Sequence, residues 1–83
     1  MNHIQVEEAV RRVLAAHGKL AVDAAAVDAK ANLFDLGMDS QAVIRVMLGI
    51  EDELDISFPD EALTRDTFAS IHAIMSALEG QPA

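Results

Sequence analysis

The chain has 83 residues, a formal net charge of −8, 52% hydrophobic residues, no cysteine, and three Phe as its only aromatics. A chain this short forms one small domain with a modest core and little volume for an enclosed active site. The charge disfavours nucleic acid and anionic membranes as partners, and the missing cysteine excludes disulfides, thiolate zinc sites and a thiol nucleophile.

In chain order, the first helix is expected from Asn2 to His17. Ile4, Val6, Val10, Val13 and Leu14 recur at helical spacing, with Glu7, Glu8, Arg11 and Arg12 largely outward. Asn2 suits the N-cap, and Gly18 suits a left-handed stop. A long connection follows, from Gly18 to Asp39. Leu20, Val22, Val27, Leu33, Phe34 and Leu36 give it apolar side chains, so it should pack on the bundle, with a short helical turn near Asn32 to Leu36.

The second helix is expected from Ser40 to Leu54, with Val43, Val46, Met47, Ile50 and Leu54 on one stripe. A short third helix should run from Asp60 to Thr64 behind Pro59. The fourth should run from Ser70, as N-cap, to Glu79, burying Ile71, Ile74, Met75 and Leu78 and stopping at Gly80. No stretch shows the period-two alternation of a strand. The fold expected is all-α: a small four-helix bundle, three helices longer and one short, with a long loop between helices one and two. Residues 1–80 form the single domain and 81–83 a loose tail.

No basic segment followed by an apolar run opens the chain, and its longest apolar stretches are too short to span a bilayer. The expectation is a cytoplasmic monomer without a signal peptide.

The stretch Asp35-Leu36-Gly37-Met38-Asp39-Ser40 ends a loop and opens a helix. Gly37 permits positive φ. Ser40 then stands at a helix N-terminus, with unpaired backbone N–H groups and the positive dipole end suited to a phosphodiester. Asp39 adds an anionic contact for a basic enzyme or its metal. Taken alone, Asp39 or Ser40 need be no more than a helix cap.

Leu33-Phe34-Asp35-Leu36-Gly37-Met38-Asp39-Ser40 resembles the phosphopantetheine attachment motif of acyl carrier proteins. The acidic run from Ile50 to Asp55 and the Phe58-Pro59-Asp60 turn are similar to the end of that family's second helix, and Phe68-Ala69-Ser70-Ile71 fits its last. The resemblance implies a carrier, not an enzyme. A phosphopantetheinyl transferase would join 4'-phosphopantetheine from coenzyme A to Ser40, with Gly37, Met38 and Asp39 beside the arm. The arm's thiol would hold an acyl or aminoacyl thioester. Further partners would be a loading ligase and an acceptor transferase.

Fatty-acid-type carriers usually place Leu after the serine and acidic residues along helix two. Here Gln41 follows Ser40, and Arg45 interrupts the acidic face. Gln41, Ile44, Arg45 and Leu48 fall on one surface near Ser40, which Glu51 and Asp52 continue. This surface is read either as neutral variation on a solvated helix or as altered partner choice. The segment from Met47 to Pro59 also resembles small discrete carriers that accept amino acids from ligases related to aminoacyl-tRNA synthetases.

His3, His17 and His72 lack ligand spacing, and the acidic run lacks the order of a calcium loop, so no metal site is expected. Nor is there a nucleophile elbow around Ser40. The rival to a covalent carrier is a non-covalent acidic helical interaction module.

Overall fold

The computed structural model describes residues 2–79. Three α-helices follow in order, α1 (His3–His17), α2 (Ser40–Leu54) and α3 (Ile71–Glu79), with a 3-10 turn at Asp60–Ala62 between the last two. No strand occurs among the described residues. The expected stop at Gly80 and the tail 81–83 lie outside them.

Helix α1 starts where its capping residues put it. The Asn2 side chain accepts the Gln5 N–H at 2.8 Å, and the Gln5 side chain accepts the Asn2 N–H at 3.3 Å, a reciprocal capping box. Ala9, Val10, Val13 and Leu14 form its buried face. Ile4, expected in that stripe, is 66% exposed. Val6 takes the inward position one turn earlier, and Ile4 falls on the opposite side of the helix.

At the C-terminal end the expectation for Gly18 is corrected. Its φ is −78°, and the left-handed residue is Lys19, at φ 57°. Glycine suits position 18 for space, because a Cβ there would lie 2.8 Å from the Leu14 carbonyl oxygen.

Helix α2 spans the expected residues and packs against α1. Val10 and Leu14 of α1 and Val46 and Ile50 of α2 are fully buried. The helices approach closely at Gly49, where a Cβ would meet Val13 Cγ1 at 2.7 Å. Arg12 of α1 also bonds Glu53 of α2 at 2.7 Å.

The third expected helix is reduced to the three-residue 3-10 turn. Leu63, at ψ 73°, leaves helical geometry, and the Thr64 hydroxyl accepts the Thr67 N–H at 3.2 Å to start a new turn. An edge-to-face contact between Phe58 and Phe68, centroids 5.5 Å apart, closes the α2–α3 connection over the core. Ser70 caps α3, accepting the Ala73 N–H at 3.0 Å.

The loop from 18 to 39 is held at several points. The outward place expected for Arg11 is corrected here: its guanidinium donates to the Ala24 and Val27 carbonyls at 2.9 and 2.7 Å, while Glu7 accepts from its Nε at 3.0 Å. Backbone bonds from Leu33 N–H to the Ala69 carbonyl and from His72 N–H to the Ala29 carbonyl, at 2.7 and 2.8 Å, tie the loop to the start of α3. The expected short helical turn near Asn32 to Leu36 is present over 33–37, begun by the Asn32 side chain accepting the Phe34 N–H at 2.9 Å and continued by the Leu36 N–H donating to the Leu33 carbonyl at 3.1 Å.

Candidate functional site

Two buried side chains, Leu33 and Met38, bracket the turn that delivers Ser40 to the surface. The Met38 N–H donates to the Leu33 carbonyl at 3.2 Å and closes the turn. Gly37 sits at φ 119°, a conformation that L side chains rarely adopt. A Cβ there would also come within 2.8 Å of the Lys19 carbonyl oxygen. Gly37 therefore lets the start of the long loop cross over its end, and an Ala21 N–H to Leu36 carbonyl bond of 2.8 Å fixes the crossing.

Met38 is 3% exposed and belongs to the core. The expectation that its side chain contacts an arm on Ser40 is corrected: an apolar thioether at this turn gains more by burial than by lining a solvated surface.

Asp39 is the N-cap of α2, and Ser40 is the first helical residue. The Asp39 carboxylate accepts the Ala42 N–H at 2.8 Å, so the cap leaves the Ser40 hydroxyl free on an exposed residue. The same bond takes one of the expected backbone donors of the first turn, which has an anion of its own. The Ala42 N–H is the main reason that the Asp39 carboxyl titrates below its ordinary value. Desolvation opposes this effect, while the Lys19 ammonium, the Gln41 N–H and the Arg45 guanidinium reinforce it.

Cations are thus concentrated here in an acidic chain. Of the six Lys and Arg residues, Arg11 and Arg12 are paired with Glu7 and Glu53. Lys19, on the loop, and Arg45, on α2, both favour the charged form of Asp39.

Beside Ser40 lies a shallow groove of about 210 Å³, lined by Phe34, Ser40, Val43, Ile44, Leu63, Thr64 and Arg65. The Arg65 guanidinium carbon stands 4.0 Å from the centroid of the Phe34 ring. Sequence reasoning did not find this groove. Leu63, Thr64 and Arg65 lie on the α2–α3 connection, and only the folded chain brings them beside Ser40.

The residues expected on the partner surface differ in exposure. Gln41 and Arg45 are exposed, as are Ile44 at 48% and Leu48 at 55%. Asp52 is also exposed. Glu51 is only half-exposed, because its carboxylate accepts the Phe58 N–H at 2.7 Å and fastens the chain after α2.

The phosphopantetheine attachment site family matches residues 6–78. The chain belongs to this family of acyl and aminoacyl carrier proteins. It is 43% identical over 65 residues, 78% of each chain, to the aminoacyl carrier protein of Agrobacterium fabrum. It also superposes, with a TM-score of 0.85 and 38% identity, on a chain in the crystal structure of engineered Bradyrhizobium japonicum glycine:carrier protein ligase complexed with carrier protein from Agrobacterium tumefaciens and ATP. That match covers 89% of this chain and 96% of the other. A second match, at TM-score 0.74 and 26% identity, covers 88% of this carrier and 97% of a chain in the Bradyrhizobium japonicum ligase complexed with glycylated carrier protein.

The carrier's cofactor is covalently attached 4'-phosphopantetheine, whose terminal thiol forms the thioester. The residues around Ser40 fit such a group. The hydroxyl is exposed and outside the cap, and the adjoining groove offers apolar walls with a guanidinium at one side. No described helix is long and apolar enough to cross a membrane.

Proposed function

We propose that Ser40 is the residue that carries the arm and that this carrier receives a small amino acid from a stand-alone ligase. The observation that carries the reading is the division of labour at the start of α2. Asp39 caps the helix, and Ser40 presents a free hydroxyl beside a groove. In arm attachment a transferase removes the Ser40 hydroxyl proton, the oxygen bonds to the phosphorus nearest the pantetheine of coenzyme A, and adenosine 3',5'-bisphosphate leaves. The closed turn before Ser40 and helix α2 after it then hold the carrier's attachment point while a partner works on the distant thiol.

Aminoacyl cargo is favoured by the relatives, one named an aminoacyl carrier protein and one present in its ligase's crystal structure as a glycylated carrier protein. The exposed Gln41, Ile44, Arg45 and Leu48 form the docking face for the ligase, with Asp52 at its far end. An acceptor transferase would meet the same face. The rival reading, a non-covalent module, gives the free hydroxyl no task, and family membership weighs against it.

Loading is the test. The holo protein is incubated with ATP, a glycine:carrier protein ligase and each of several radiolabelled amino acids. Label should appear on the protein for a small amino acid and be released by hydroxylamine, as a thioester is. A holo protein that takes fatty acyl groups from general acyl-transfer enzymes but no amino acid would overturn the aminoacyl reading.

A further inference from the structure

Arg65 differs from the chain's other cations in what its guanidinium touches. Among the described residues it takes part in no ion pair, although the chain has 14 carboxylate side chains. Its guanidinium instead stands over the Phe34 ring, 4.0 Å from the centroid. Ser40 and Arg65 line the same groove, with the apolar side chains of Phe34, Val43, Ile44 and Leu63 around them.

A phosphodiester on Ser40 would face a carboxylate at Asp39, whose capping bond already engages the Ala42 N–H. Attachment therefore adds an anion where backbone donors are partly taken and a like charge is adjacent. A guanidinium is suited to the task, since its planar donors match phosphate oxygens and its stacked face loses little freedom on binding. A stacked arginine also keeps its edge N–H groups available, because the ring takes only its face.

Resting on the assignment of Ser40 as the attachment residue, we propose that Arg65, held on the Phe34 ring, is a positioning residue that binds the phosphodiester oxygens of the arm and lays its first segment along the Ile44–Leu63 groove. Arg65 would thus fix the direction in which the arm leaves Ser40, toward the α2–α3 connection.

The test compares apo and holo protein, isotopically labelled, as wild type, R65K and R65Q. Intact mass first establishes that one arm is present. If wild type gains none, the Ser40 reading fails, and the Arg65 proposal falls with its premise. With the arm present, NMR shift changes between apo and holo should extend from residues 40–42 to the amides of 63–65 and to the Arg65 Nε–H. In R65Q the changes at 63–65 should be at least halved while those at 40–42 persist, and the phosphorus resonance should move. R65K should fall between the two. Changes confined to residues 39–42 in wild type would overturn the proposal, as would an R65Q map equal to wild type. The wild-type map and the Arg65 Nε–H decide the matter even if R65Q resists loading or folding.

Discussion

The Asp39 carboxylate accepts the Ala42 N–H at 2.8 Å, and the neighbouring Ser40 is thereby the first helical residue instead of the cap. Two adjacent polar residues, both common helix caps, are assigned different tasks by this one bond. The acid holds the helix, and the alcohol takes no part in the cap.

The bond makes part of the stability depend on pH. The folded-state carboxyl of Asp39 titrates below its ordinary value, chiefly through the Ala42 N–H. Its stabilising contribution is complete above the unfolded-state value, about 4, and is lost as pH falls through the depressed folded-state value. An asparagine in its place would still cap but would not titrate. The urea-melt difference between wild type and Asp39→Asn should therefore be full above about pH 5 and shrink progressively as pH falls below about 4. A difference that stays constant across that range would show that the charge of Asp39 is immaterial to the fold.

Gly37→Ala should destabilise the protein by about 1–3 kcal/mol, because the backbone there lies in a region costly to other residues. The added Cβ would also press on the Lys19 carbonyl oxygen at 2.8 Å. Denaturant melts measure the loss, and arm attachment in the folded fraction should survive. An unchanged midpoint would mean that the turn relaxes freely.

Arg11→Met keeps an unbranched apolar stem but removes the bonds to the Ala24 and Val27 carbonyls. The expected loss is about 1–3 kcal/mol, the scale for hydrogen bonds from a charged group. Hydrogen exchange should accelerate first in the loop between α1 and α2, ahead of the helices. Uniform acceleration throughout the chain would contradict the idea that Arg11 pins that loop.

The three α-helices were legible in the sequence because their signals are local. The Asn2, Asp39 and Ser70 caps and the stripe from Val43 to Leu54 fix α1, α2 and the start of α3 within a residue of expectation. The Ser40 motif was legible for the same reason, as one continuous stretch. What escaped depends on contacts between distant segments. Arg11 has the pattern of a solvated helix charge until the loop folds over it. Met38 stands beside the serine in sequence but points into the core. Arg65 and Phe34 have no shared local pattern, and only the packed chain sets one over the other.

Partner choice should respond to the exposed face of α2. The pair Gln41→Leu with Arg45→Glu replaces a positive charge by a negative one beside Ser40. Enzymes of general fatty-acid synthesis that present basic patches should accept the double variant better, by about tenfold at low salt. Loading by its own ligase should weaken, and high salt should shrink both effects. Transfer rates at two ionic strengths supply the comparison. Equal rates for both proteins would make this surface neutral.

The most direct measurement is intact-protein and peptide mass spectrometry after incubation with coenzyme A and a broad-specificity phosphopantetheinyl transferase. Wild type should gain one phosphopantetheine, located on the peptide that contains Ser40. Ser40→Ala should keep its helical circular dichroism, since Asp39 still caps α2, and should gain nothing. A wild type that stays unmodified, or an alanine variant modified in full, would contradict the assignment of Ser40 as the carrier's attachment residue.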